Sequence, residues 1–218
     1  MKILTLSDDP CRALWQEDAR QRLQGIDLIL ACGDLPAQYL EFLTNFTAAP
    51  IIFVHGNHDK DDPEGCISAE DRLLVWRGVR ILGLGGCIRY DPRATYLYTE
   101  KEMERRAARL RRAVEKAGGI DILLTHSPAR GLNDGKDPAH GGFECFNRLP
   151  QDYTPKYFVH GHVHISYNPA QPRVQQHGAV TVINASERYL LDAPDLEFTD
   201  LPATPVRQRL LRGLPWRR

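Results

Sequence analysis

The sequence predicts an α/β fold on three observations. Short apolar runs of buried-strand length recur along the chain, helical stretches lie between several of them, and polar residues follow the runs abruptly. The strand candidates, in order, are Lys2–Leu6, Leu28–Ala31, Ile51–Val54, Arg80–Leu84, Ile122–Leu124, Tyr157–Val159 and Val180–Ile183. The clearest helix carries Met103, Ala107, Leu110, Val114 and Ala117 at steps of four and three, a single apolar stripe. Thr99 with Glu102 fits a capping box at its start, and Gly118-Gly119 supplies the stop. Arg105, Arg106, Arg109, Arg111 and Arg112 share this helix with Glu100, Glu102, Glu104 and Glu115, which reads as a solvated, ion-paired face rather than a nucleic-acid surface.

At 218 residues the chain suits one domain with a tail, the body expected over 1–200 and a basic, proline-containing tail over 201–218. That tail holds three prolines, five arginines and no acid. A chain of this length needs neither disulfide nor metal merely to hold a core. With 42% hydrophobic and 26% charged residues and a mean hydropathy of −0.41, it is neither disordered nor fibrous. Lys plus Arg and Asp plus Glu are 28 each, so the zero formal charge argues against coating nucleic acid or an acidic membrane. No apolar run reaches the roughly 18–20 residues of a membrane span. The apolar start at Met1–Leu6 is too short for an export signal and is followed by Asp8 and Asp9. Five scattered cysteines without a C-x-x-C pair read as reduced thiols of a cytoplasmic protein.

The chemistry lies at the ends of the strand candidates. They lead in turn into Ser7-Asp8-Asp9, Gly33-Asp34, His55-Gly56-Asn57-His58-Asp59, Thr125-His126 and His160-Gly161-His162-Val163-His164. Ligands of α/β sheets collect at the carboxyl ends of strands, so these groups should converge. Carboxylates, an amide oxygen and imidazoles together suit first-row divalent metals. A lone Gly-Asp is ordinarily a turn, and a lone His-x-His is more often surface or core than ligand. The ordered set at five strand ends is what points to a site.

These blocks, spanning Asp8 to His164, resemble the calcineurin-like metallophosphoesterase superfamily. The resemblance implies a sandwich of two mixed β-sheets flanked by helices, with a two-metal centre at one edge. It implies that Asp34 bridges the metals, that Asn57, His126 and His162 complete one site, and that Asp8 and His164 belong to the other. His58 would face the phosphate and leaving group as the catalytic residue. The implied activity is hydrolysis of a small phosphomonoester, phosphodiester or nucleotide by a metal-activated water. The cofactors are two divalent ions, manganese expected first and iron, zinc or magnesium as alternatives. The expected partner is a small phosphorylated substrate, without membrane or nucleic acid, and a homo-oligomer is left open.

Two departures qualify the resemblance. The first block is usually Asp-x-His, but Pro10 stands where that histidine would. Asp9, Cys11 or water are the candidates to fill the gap, although Asp9 would point away if the strand continued. The first metal site is therefore expected to be the weaker. After Asp34, Leu35-Pro36-Ala37-Gln38-Tyr39 lacks the acid and arginine of protein phosphatases, which argues against that class. The alternative is a non-catalytic metal-binding scaffold or interaction protein of the same fold, and Pro10 favours it. The many polar groups aimed at one cleft favour the enzyme, because their burial is costly without a ligand. His55 and His160 read as strand-end groups, His140 as a candidate cleft residue, and Arg89-Tyr90 as a loop.

Overall fold

The computed structural model describes residues 1–91, 95–167 and 171–199; the tail expected over 201–218 lies outside them. In chain order the strands are β1 (Lys2–Ser7), β2 (Leu28–Ala31), β3 (Ile51–Phe53), β4 (Ile67–Ser68), β5 (Arg72–Trp76), β6 (Val79–Leu84) and β7 (Cys87–Ile88). They continue as β8 (Leu97–Tyr98), β9 (Ile122–Thr125), β10 (Tyr157–His160), β11 (Val174–His177), β12 (Val180–Asn184) and β13 (Glu187–Asp192). The helices are α1 (Ala19–Arg22), α2 (Ala37–Thr44), α3 (Glu100–Ala117) and α4 (Cys145–Tyr153).

Two mixed sheets form the body. One runs β13-β1-β2-β3-β4, parallel except for the antiparallel pairing of β13 with β1. The other runs β11-β12-β10-β9-β6-β5, with a parallel centre and antiparallel pairs at both edges. β7 and β8 pair in a small separate ribbon. This is the sandwich flanked by helices that the sequence led us to expect.

The strand period of two decides which side chain enters which layer. Ile3 of β1 packs between the sheets with Leu30, Ile52, Ile122, Val159 and Ile183. Its neighbour Leu4 faces outward among Leu6, Ile29, Tyr39 and Leu43 under α2. On the far side Leu82, Leu123, Phe158 and Val182 pack with Met103, Leu110 and Val114 of α3 and Phe146 of α4. The central strands are thus covered on both faces, which is why they read as continuous apolar runs rather than alternating ones.

Helix α3 is closed at both ends as the sequence predicts. Thr99 Oγ1 accepts from Glu102 N at 3.3 Å, Glu102 Oε2 accepts from Thr99 N at 2.8 Å, and Gly118 takes a left-handed φ of 74°. Its charged face needs a correction. Arg105, Arg109, Arg111 and Arg112 are exposed, but Arg106 is buried. The guanidinium lies 4.0 Å over the Tyr98 ring and donates to Asp71 Oδ1 at 2.8 Å, to the Gly85 carbonyl at 2.8 Å and to Glu70. It sits three residues from Met103 on the inward face, a place apolar residues usually hold, and its donors are satisfied there by Glu70, Asp71 and Gly85. Glu100 is not simply solvated either, since its carboxylate accepts from Glu144 N at 3.0 Å and Cys145 N at 2.7 Å at the start of α4.

Candidate metal centre

The site forms where the carboxyl ends of both sheets meet. β1 stops at Ser7, and Asp8 turns the chain with a left-handed φ of 66°, a conformation Asp tolerates better than most residues. Asp8 N donates to the Gly33 carbonyl at 3.1 Å, and Asp9 N to the Ser7 carbonyl at 2.7 Å. The strand therefore does not continue, and the condition under which Asp9 would point away is not met. Asp9 Oδ2 lies 2.9 Å from His164 Nδ1. Gly161 permits the approach of the two sheets, because a Cβ there would lie 1.8 Å from Ser7 Oγ and 3.2 Å from Asp8 Oδ2. Gly33, after β2, permits a close approach within one sheet, with φ 91° and a Cβ position 2.2 Å from Gly56 N after β3.

Asp59 ties the second and third blocks together. Its Oδ2 accepts from Asp34 N at 2.9 Å and Gly56 N at 2.7 Å, while Asp34 Oδ1 accepts from His58 N at 2.7 Å. The His58 side chain is thereby presented at an exposed rim beside Asp34. Asn57 Nδ2 donates to the Tyr90 hydroxyl at 3.2 Å, which turns Oδ1 inward.

The buried histidines have their protons placed by their surroundings. A carbonyl oxygen only accepts, so His126 Nδ1, 2.7 Å from the Cys32 carbonyl, carries hydrogen and leaves Nε2 as a lone pair. His162 Nε2 likewise donates to the Ala139 carbonyl at 2.8 Å and leaves Nδ1 bare. Burial drives both imidazoles down to about 3, so they stay neutral. The two bare nitrogens face each other at 3.1 Å; Asn57 Oδ1 lies 3.1 Å and Asp34 Oδ2 3.5 Å from His126 Nε2. Four lone-pair groups thus converge with no hydrogen among them. Such an arrangement is repulsive by itself and suits a divalent cation, for which two imidazoles, a carboxylate and an amide oxygen are a fitting set.

Asp8 makes a second case for a cation. Oδ1 accepts from His162 N at 2.9 Å, but Oδ2 is buried with no hydrogen-bond partner. Burial, with the Asp34 charge adding to it, pushes the Asp8 carboxyl up to about 8. Burial also raises Asp34, against the hydrogen bond from His58 N. Ligand atoms of Asp34, His126 and His162 lie within 4.8 Å of one another; Asp8 and His164 complete no second cluster of that spacing among the described residues.

Other sequence candidates fall around this centre. His140 lies against His162, ring centroids 5.1 Å apart, with Nδ1 2.9 Å from both oxygens of Asp137. His55 faces away from the lone-pair cluster, stacked on Tyr96 at 4.5 Å and bonded through Nε2 to Asp62 at 2.7 Å. His160 is fully buried and pushed down to about 4 by burial. The roles of Asp59, Tyr90 and the Ala139 carbonyl were not legible in the sequence. Asp59 is part of the quoted Gly-Asn-His-Asp block, but the other two depend on folded geometry. Two open clefts flank the centre. One of about 400 Å³ is lined by Asp34, Gln38, His58 and Lys60. The other, about 720 Å³, is lined by Asp9, Arg12, Ser166, Arg173 and Arg188.

Known proteins share this architecture. The chain is 27% identical over 211 residues to a UPF0046 protein of Caenorhabditis elegans, covering 82% of this chain and 72% of that one. Its fold is similar to TT1561 of Thermus thermophilus, with a TM-score of 0.57 at 17% identity, covering 85% of this chain and 89% of that one. It is also similar to GAP50, described as the anchor in the inner membrane complex of Plasmodium, with a TM-score of 0.53 at 12% identity over 85% and 71% of the two chains. A family model described as the calcineurin-like phosphoesterase superfamily domain matches residues 1–187, and that match covers every block gathered at the strand ends. The chain belongs to the calcineurin-like phosphoesterase superfamily.

Proposed function

We propose that the protein is a metal-dependent phosphoesterase that hydrolyses a small phosphomonoester, phosphodiester or nucleotide. The observation that carries this reading is the convergence of His126 Nε2, His162 Nδ1, Asn57 Oδ1 and Asp34 Oδ2 without a proton between them. Asp34, Asn57, His126 and His162 would hold one ion, and Asp8, Asp34 and His164 the other. Bound there, two divalent ions supply an activated water near neutral pH and offset the charge of the phosphoryl oxygens. Manganese is the ion we expect first, with iron, zinc or magnesium as alternatives. His58 stands beside Asp34 on the open side and can give a proton to the leaving alkoxide, or stabilise it electrostatically. The two flanking clefts would receive the arms of the ester, and Lys60, Arg12 and Arg188 on their walls suit an anionic substrate.

Among the described residues no helix is long and apolar enough to cross a membrane. All five cysteines are free thiols, which suits the reducing cytoplasm. The rival reading is a scaffold of the same fold. Pro10 and the likeness to GAP50, an anchor by its description, favour it. Turnover of aryl phosphate mono- and diesters, assayed with Mn, Mg, Zn and Fe added separately, decides between them. Metal-dependent hydrolysis supports the enzyme. Absence of turnover with every metal and both ester types moves the scaffold ahead.

A further inference from the structure

Resting on the two-ion reading, we infer that Asp9 is a positioning residue that adapts His164 to a site missing one ligand. Three of the imidazoles at the centre are candidate ligands, and in each a ring nitrogen is held by a hydrogen bond. His126 and His162 are tied to main-chain carbonyls at 2.7 and 2.8 Å. Of the three, His164 alone is tied to a carboxylate, with Nδ1 2.9 Å from Asp9 Oδ2. A carboxylate oxygen accepts, so the neutral ring of His164 carries its hydrogen on Nδ1 and turns Nε2 to a cation. A carboxylate partner makes an imidazole a stronger metal donor and fixes its tautomer and ring orientation.

The backbone explains how a residue beside Pro10 takes this part. The left-handed turn at Asp8 breaks the strand alternation, so consecutive acids grip consecutive parts of one turn. Asp8 Oδ1 takes the main-chain N–H of His162, and Asp9 Oδ2 takes the side chain of His164. Pro10, just past the turn, has no N–H with which a sheet could resume. Where the usual first block offers a neutral histidine, this chain offers a proline and places a negative charge behind the remaining histidine. Asp9 thus supports the first ion through His164 rather than by binding it.

The test uses the full chain and reads metal and tautomer, not turnover. Mn binding is titrated by electron paramagnetic resonance for the unmutated protein, Asp9→Ala and Asp9→Asn, and the histidine ring nitrogens of the metal-free proteins are observed by 15N NMR. Affinity of the weaker site should fall about 10–100-fold in Asp9→Ala while the tighter site is unchanged. His164 should hold its hydrogen on Nδ1 in the unmutated protein and lose that preference in Asp9→Ala. Asp9→Asn keeps an acceptor without the charge and should fall between the two. Unchanged affinity in Asp9→Ala overturns the inference. A fall in affinity without a change of tautomer also overturns it, because Asp9 would then be a ligand itself. Binding of one ion only by the unmutated protein removes the site and the inference together. Two ions bound without hydrolysis of any ester would sink the enzymatic reading and leave this one standing.

Discussion

His58 separates catalysis from metal binding, because it stands at the centre without belonging to the lone-pair cluster. Replacing it with alanine should lower turnover about 10²–10⁴-fold and leave metal content intact. The loss should be smaller for aryl esters, whose leaving groups need little protonation, and larger for alkyl esters. His162→Ala should instead lose metal and activity together; equal metal content in both variants would contradict the assignment. Asp8 makes a pH prediction. Its carboxyl lies near 8 in the metal-free fold against 3.8 in a model peptide, so its contribution to stability is full below about pH 4 and lost as the pH rises to about 8. His126 and His162 lie near 3 against 6.5, so theirs is full above 6.5 and lost as the pH falls towards 3. Between pH 6.5 and 8 the Asp8 window remains. Thermal denaturation of the metal-free protein should therefore show a midpoint falling from pH 6.5 to 8, and Asp8→Asn should flatten it. A midpoint that rises over that range would refute the argument.

Among the elements, α3 does more than cover a sheet. Arg106 reaches from its inward face to Glu70, and Glu70 Oε2 accepts the His55 N–H at 3.0 Å while Oε1 accepts from Gly85 N at 3.1 Å. Burial alone would raise the Glu70 carboxyl, but the hydrogen bonds of His55 and the Arg106 charge outweigh it and hold the group below the ordinary range. This buried network anchors the segment that carries Asn57, His58 and Asp59. Arg106→Ala leaves Glu70 half-compensated in a buried setting, and should cost about 3–5 kcal/mol in urea denaturation. Thr99→Ala, which removes only an exposed cap, should cost about 1 kcal/mol. Similar losses from the two would mean that the Arg106 network contributes little.

For the molecule as a whole, the centre stitches two sheets together. Asp8 and Asp34 follow strands of one sheet; His126 and His162 follow strands of the other. An ion shared between them should therefore stabilise the sandwich itself, by about 2.7 kcal/mol at a hundredfold excess over its dissociation constant. Chelation should lower the melting temperature, and, if the proposed two sites exist with their unequal ligand sets, titration with Mn should restore it in two steps. A single step at limiting metal would indicate equal sites.

The sequence by itself determined the strands of the two sheet centres, the capped helix α3 and the family blocks, because each is a local pattern. Buried strands need unbroken apolar residues, and a cap needs Thr, Glu and Gly at fixed offsets. It was silent on β5, β11 and β13, edge strands whose half-exposed sides carry mixed residues. It was equally silent on α2, whose N-cap is Pro36 and offers no side-chain cap, and α4 was blurred by the internal Pro150. Only the tertiary structure decided that Arg106 is a buried anchor, since helical spacing shows which face a residue occupies but not whether acids wait opposite it. Only the fold decided Asp9. Its direction depends on where β1 ends and on a left-handed turn at Asp8, and its partner His164 lies 155 residues away.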